Sequence, residues 1–332
     1  MSENKNSKFP SEADVVIVGV GGIVGSMLAY WLAELGQKNI VGLEKSSVIP
    51  SDIASTAHAS DFVFNTTHDK LGCWTTAYSR KFYEDNGFFL KKGGLEICRK
   101  GDDARWEELK RKVGSGKAFG TNVRLISASE TKEKFPLIDE DSIMGSMWDP
   151  DAGLVIPRSQ DVVSFAVEKA KEQGALKTFT DTPAIDFEIE DGRVVGVKTD
   201  KGIIKSDKVV IASGIWGPLM GKKAGVPVPL MPLEHPLLFF GPLPEAQGSQ
   251  EFLVYPLMRD QGNSAYVRDT GRLHGGMLEW GFYEDKEPRL VDPEDIGNPE
   301  KTMGSDSMRY LDLEEIAEPL EKAFETTPIL NE

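Results

Sequence analysis

Two cysteines and four histidines are all that this 332-residue chain has of either type. Cys73 and Cys98 are too few for a disulfide framework and lack CxxC spacing, so both read as reduced thiols of a cytoplasmic protein, and neither makes a metal site with its neighbours. Basic residues are also in deficit: 38 Lys and Arg stand against 53 Asp and Glu, a formal net charge of -15. That field repels nucleic-acid phosphates and offers no footprint for an anionic membrane surface. No internal repeat, low-complexity tract or basic-then-apolar leader is visible. One uncharged apolar run approaches membrane length, Val15–Ala33 (VVIVGVGGIVGSMLAYWLA). Four glycines crowd its first half and Glu34 and Gly36 close it, so it reads as strand, glycine turn and helix rather than as a span.

What is present is a globular balance, 40% apolar and 27% charged, in a chain long enough for two domains. Residues 1–13 are polar and read as a disordered tail. Val15–Val18 suits a buried parallel strand. Val24, Leu28, Trp31, Leu32 and Leu35 recur at helical spacing before Gly36, and Asn39–Leu43 is a second strand. Together they form a right-handed β-α-β unit. Helices are expected at Leu71–Glu84, Asp103–Val113, Ser127–Lys134, Ser159–Gln173 and Leu311–Phe324. Strands are expected at Leu95–Cys98, Leu237–Phe240, Ala265–Arg268 and Met277–Trp280. Trp148–Pro157 (WDPDAGLVIP) reads as a loop, and Ala184–Ile189, Arg193–Thr199 and Ile203–Ser206 as a meander leading into the buried strand VVIASG.

The turn Gly19-Val-Gly21-Gly22-Ile23-Val24-Gly25 carries the first chemistry. A dinucleotide fingerprint needs one glycine for the turn, one for close approach of the pyrophosphate and one for helix–strand packing, with phosphates at the helix N-terminus. Glu44 stands at the ribose-binding distance counted from Gly25. The spacing is one residue longer than GxGxxG, so a bulged turn is expected, with Gly22 and Gly25 in the usual roles. Ordinary helix packing is the alternative. The glycines do not distinguish a nicotinamide from a flavin.

Several segments, in order along nearly the whole chain, resemble the FAD-dependent oxidoreductases of the D-amino-acid-oxidase superfamily, in particular the dimethylglycine and sarcosine dehydrogenase/oxidase branch. They are VVIVGVGGIVGS, GLEKS, STAHASDFVFNT, GGLEI, EKFPLID, WDPDAGLVIP, GRVVGVKTDKG, VVIASGIWG and MPLEHPLL. The resemblance implies an α/β fold: a Rossmann-like FAD-binding domain (14–90 and 151–224) and a second α+β substrate domain on a mixed or antiparallel sheet (91–150 and 225–332). It implies that Gly19, Gly21, Gly22, Ile23, Val24, Gly25, Glu44, Lys45, Ser55, Thr56, His58, Ala59, Ala184, Ser213, Gly214 and Trp216 bind FAD. His58, in the S-T-x-H-A pattern, would be covalently attached to the flavin; a turn histidine bonded to backbone is the alternative. Trp216 would wall the flavin site or simply pack in the core.

By the same resemblance the reaction is oxidation of a secondary or tertiary amine, a dimethylglycine- or sarcosine-like N-methyl amino acid, with a hydride equivalent passing from carbon to flavin and leaving an iminium. His235 would be the active-site base, with a buried structural histidine as the alternative. Tyr266 would bond the substrate carboxylate or pack within a strand, and Arg268 would pair with a carboxylate or form a surface salt bridge. His68 and His274 read as structural. The family continues beyond PLEKAFETTPILNE with a segment returning to the FAD domain, so the substrate domain is expected to be incomplete, and a second polypeptide could supply that segment or a folate-binding domain. Two other functions stay open: a catalytically incomplete subunit, and a nicotinamide-dependent dehydrogenase.

Overall fold

The computed structural model describes residues 9–65, 69–247, 250–283, 289–303 and 305–331. The chain divides into two compact units. One comprises the described residues up to Ala59 with Arg158–Pro232 and Leu290–Tyr310; the other comprises Ser60–Pro157, Leu233–Arg289 and the residues from Leu311 on.

The first unit is built on a four-stranded parallel sheet in the order Val209–Ile211, Val15–Val18, Ile40–Leu43, Leu176–Phe179. Its two central strands are buried at every residue, which is why they read as unbroken apolar runs. One face is covered by helices Ile23–Glu34 and Ser159–Glu172 through Ala29, Ala33, Val163, Val167 and Ala170. The other is covered by the antiparallel meander Ala184–Glu190, Arg193–Thr199, Gly202–Lys205, through Phe187, Val197 and Ile204. Asp191 (φ 49°) and Gly192 (φ 75°) are both left-handed, the conformation a two-residue hairpin turn demands. Each fully buried Ile or Leu here contributes roughly 1.5–3 kcal/mol relative to exposure.

Two expectations for this unit are corrected. The first helix buries Gly25, Ser26, Ala29 and Ala33, while Val24 and Leu35 are exposed, so small residues, not the large apolar ones, form its inner face. Close approach of helix to sheet selects them. The expected tail is also ordered at its end: Phe9 packs edge-on against Phe179, and Ala13 N–H donates to the Lys205 carbonyl at 2.9 Å.

The second unit centres on a seven-stranded sheet in the order Leu237–Phe240, Leu278–Phe282, Ala265–Asp269, Leu257–Asp260, Gly94–Arg99, Ile143–Asp149, Arg124–Ser127. Only the Leu257–Asp260/Gly94–Arg99 pairing is parallel. One face forms a core of Leu95, Ile97, Met258, Val267, Trp280 and Phe282 with Phe135, Ile316 and Ala323. On the other, helix Asp103–Ala118 places Leu109 and Val113 over Cys98 and Met147. The remaining part of that face carries Arg259, Tyr266, Arg268, Glu279 and Gly281, as strand alternation and register require.

Trp148–Pro157 is not only a loop: Gly153–Val155 is the buried central strand between Phe62–Val63 and Phe89–Lys91. Those pairings draw 60–90 into the second unit, against the expected boundary, while 225–232 and 290–310 fall in the first. The last helix spans Ala317–Thr326, after a short turn at Glu314–Ile316 that shortens the expected Leu311–Phe324 helix.

Candidate functional site

In the first unit the glycine turn forms one wall of a cavity of about 460 Å³. Gly19 has φ 95°, which favours glycine, and a Cβ there would lie 2.6 Å from the Ala212 carbonyl oxygen. Gly25 packs beneath it, where a Cβ would fall 2.1 Å from the Gly19 oxygen. Gly22 is the helix N-cap, and an added Cβ would meet nothing closer than 3.7 Å. The extra residue of the turn is absorbed at Gly21, whose N–H donates to Glu44 Oε2 at 2.9 Å.

Glu44 is buried and rigid. Its Oε1 accepts from Ser46 N–H at 3.0 Å and its carbonyl from Thr182 N–H at 2.9 Å. Each carboxylate oxygen keeps a lone pair for a ligand hydroxyl. The short helical turn Ser55–His58 brings Thr56 Oγ1 to accept from Ile23 N–H at 3.1 Å, capping a helix that begins 33 residues earlier. Lys45 lies 4.8 Å from the Trp216 ring centre and pairs with Asp306.

Gly19, Gly22, Ile23, Val24, Glu44, Lys45, Ser55, Thr56, Ala184, Ser213, Gly214 and Trp216 all line the cavity. Gly21 and Gly25 shape the turn behind it. His58 and Ala59 lie outside its lining. His58 is exposed, and its Nε2 is 3.0 Å from Ser307 Oγ, a side-chain partner rather than the backbone one of the alternative reading. The Ala59 carbonyl accepts from Arg158 Nη2 at 3.0 Å. One lining residue missed in the sequence, Ser51, and one expected there, Ser213, are informative: both hydroxyls are buried with no protein partner. Such orphaned hydroxyls, an N-cap glycine with no side chain of its own to bond the helix amides, and a largely apolar wall fit a dinucleotide with its phosphates at the helix N-terminus.

In the second unit, Tyr266 is opposite Gly281, where a Cβ would be 1.9 Å from the tyrosine Cζ. Glycine is therefore what seats the ring. Ser60 Oγ donates to the Tyr266 hydroxyl at 3.0 Å, and Phe62 meets the ring edge-on at 5.3 Å. Burial pushes the Tyr266 phenol above its ordinary value, with the Ser60 hydrogen bond working against that. Tyr283 bridges the two residues singled out for catalysis, 5.8 Å from the Tyr266 ring and 4.6 Å from His235. His235 is exposed, which overturns the buried structural alternative. Arg268 is no surface ion pair either: it is buried and joined to buried Glu279 at 2.5 Å. His274 is exposed, and its carbonyl accepts from Thr270 Oγ1. His68 lies outside the described residues.

With this geometry the chain can be placed among known proteins. The model of the DAO family, FAD dependent oxidoreductase, matches residues 14–331, and the chain belongs to that family. Its cofactor is therefore FAD, and the nicotinamide alternative falls. The chain is 29% identical over 302 residues to mitochondrial sarcosine dehydrogenase of Homo sapiens, covering 86% of this chain and 30% of that protein. It is 27% identical over 332 residues to mitochondrial dimethylglycine dehydrogenase of Homo sapiens, covering 98% of this chain and 36% of that one. It thus spans about a third of the length of these relatives. Among solved structures, L-proline dehydrogenase from P. horikoshii superposes with a TM-score of 0.79 at 26% identity, over 97% of this chain and 79% of that one. Among the described residues no helix is long and apolar enough to cross a membrane.

Proposed function

We propose that this protein oxidises a secondary or tertiary amine, an N-methyl amino acid of the sarcosine or dimethylglycine kind. The observation that carries the reading is likeness to dimethylglycine dehydrogenase over 98% of the chain. FAD, when bound, supplies the acceptor for the hydride equivalent that leaves the carbon beside nitrogen. Gly19, Gly22, Ser51, Glu44 and Ser213 hold its nucleotide portion, and His58 tethers it covalently. The amine must be neutral for its lone pair to assist, so His235, exposed and aromatic-flanked, takes its proton. The Tyr266 hydroxyl accepts from Ser60, which leaves its own proton free to orient the substrate as a hydrogen-bond donor.

The test is direct. Purified protein should be yellow, bleach under anaerobic N-methylglycine or dimethylglycine, and keep its colour in an acid-precipitated pellet. Colour released to the supernatant removes the His58 tether; a colourless protein or an unreduced flavin removes the activity.

A second reading, that another polypeptide completes the nucleotide unit, is favoured by the edge strand. Val209, Val210 and Ile211 are only half-buried, although the neighbouring strand is buried throughout. Mass measurement of the natively isolated protein decides between one chain and two.

A further inference from the structure

Helix Lys70–Asp85 of the second unit carries its large apolar residues on the outside. Asp69 caps it, its Oδ1 accepting from Gly72 N–H at 2.7 Å, and Cys73 is the one residue it buries. Thr76, Arg80 and Tyr83, on the same side as Cys73, are half-buried, and Arg80 Nη1 donates to the Asp151 carbonyl at 3.3 Å. Leu71, Trp74 and Tyr78 lie on another side, 68%, 62% and 52% exposed. The Trp74 and Tyr78 rings stack with centres 5.6 Å apart, so they form one continuous aromatic surface. A helix that packs a single face turns such residues inward. Here Leu71, Trp74, Tyr78, Lys81 and Asp85 follow one another at alternating steps of three and four, the a and d positions of a heptad seam, and all five are exposed.

The flanks of the seam identify what covers it. Lys70, Ala77 and Glu84 occupy the adjoining g positions and are also exposed. When two copies of one helix meet antiparallel about a two-fold axis, reversal of direction sets a against d and g against g. With the axis at the level of residues 75–77, Trp74 meets Tyr78 of the second copy, and Leu71 meets the aliphatic stem of its Lys81. The same register places Lys70 opposite Glu84 of the second copy at both ends. Ala77 and Thr75 then meet their own counterparts at the axis, where small side chains let the backbones approach. Glu84 is open to such pairing, since its contact with Arg80 is a long 3.4 Å. Local charge agrees as well: Lys70, Arg80 and Lys81 stand against Glu84 and Asp85 on a helix whose parent chain carries a net charge of -15.

We propose that helix Lys70–Asp85 pairs with the same helix of a second copy in an antiparallel, two-fold symmetric homodimer centred on Trp74 and Tyr78. Four aromatic rings and two leucines supply on the order of 800 Å² of apolar surface. With a polar rim that approaches the lower end of specific interfaces, so a dissociation constant on the order of micromolar is expected. The helix is already held by its own unit, so little ordering entropy opposes the pairing. The dimer goes beyond amine oxidation and stands or falls without it.

Sedimentation of the purified chain across about 0.5 to 100 µM tests this and should show a monomer of 36.5 kDa giving way to twice that mass. W74E should raise the dissociation constant at least roughly thirtyfold, and the melting temperature of the dilute monomer should not fall, because Trp74 is exposed. K70E and E84K should each weaken the dimer roughly tenfold, by an amount that shrinks in high salt, and the exchange K70E/E84K should restore it. That restoration is an outcome misfolding does not give. A bis-maleimide linker should join two A77C chains across the axis. A monomer at the highest concentration, a dimer indifferent to W74E, or a double exchange no better than its single parents overturns the proposal. So does a different polypeptide found seated on Trp74 in the natively isolated protein.

Discussion

The two units build their candidate sites from different material. In the first, the turn that shapes one wall of the cavity is main chain: a left-handed glycine, a glycine N-cap and, behind them, amides of Gly21 and Ser46 fixed by one carboxylate. In the second, the polar half-face is side chain throughout, with Tyr266, Arg259, Tyr283 and His235 set by strand register and aromatic contacts. A site made of backbone tolerates almost no change where a Cβ would enter it. One made of side chains can lose a member and keep its fold. The contrast predicts where substitutions are lethal and where they only change chemistry.

The largest effect should come from Gly25→Ala. Its Cβ would strike a backbone oxygen that cannot move without unmaking the turn, so a cost of about 3 kcal/mol or more and loss of bound FAD are expected. Thermal denaturation and flavin content check it. Gly281→Ala sharpens the comparison, because its Cβ would meet a tyrosine ring rather than backbone. That variant should lose roughly 1–3 kcal/mol, keep its flavin, and lose substrate turnover as Tyr266 is displaced. Similar flavin loss in both variants would erase the distinction between the units.

Comparable to Gly25→Ala in stability, though not in flavin loss, is Arg268→Ala, which strands Glu279 in a buried site and should cost about 3–5 kcal/mol, while the double replacement R268M/E279Q should recover most of it. Denaturant midpoints resolve the two. Thr56→Ala, which removes a long-range cap from Ile23 N–H, should cost about 1 kcal/mol and weaken FAD retention.

The smallest effect is Ser60→Ala. The Ser60 hydrogen bond holds the Tyr266 phenol down against burial, so its loss should raise the phenol further above its ordinary value. The sign follows for stability: a phenol raised in the folded state contributes below about pH 10 and is lost as pH climbs through the raised value, so the alkaline transition should shift upward in S60A. Ultraviolet titration of the phenol measures this.

Legibility in the sequence follows the same division. Local spacing revealed the glycine turn, its strands and helix, and Glu44, because each depends on residues near one another in the chain. Within that stretch the helix face was misread: periodicity pointed to Val24, Trp31 and Leu35, whereas close packing chose Gly25, Ala29 and Ala33. In the second unit the sequence pointed to one arginine near Tyr266, Arg268, as a carboxylate partner or a surface salt bridge. Glu279, in register on the next strand, consumes it. The buried Lys112–Glu96 ion pair was hidden too, because it joins a helix to a strand by packing that no spacing rule encodes. The Gly153–Val155 strand was hidden for the same reason, since its turn-rich residues take strand form only between two distant partners.

The order of the parallel sheet also has a consequence for biosynthesis. Val15–Val18 lies beside Val209–Ile211, so one flank of that strand stays open until roughly 190 further residues have emerged, an interval on the order of ten to forty seconds on a ribosome. During that time a wholly apolar tetrapeptide waits for its neighbour, and chaperone occupancy of that nascent strand is the natural outcome.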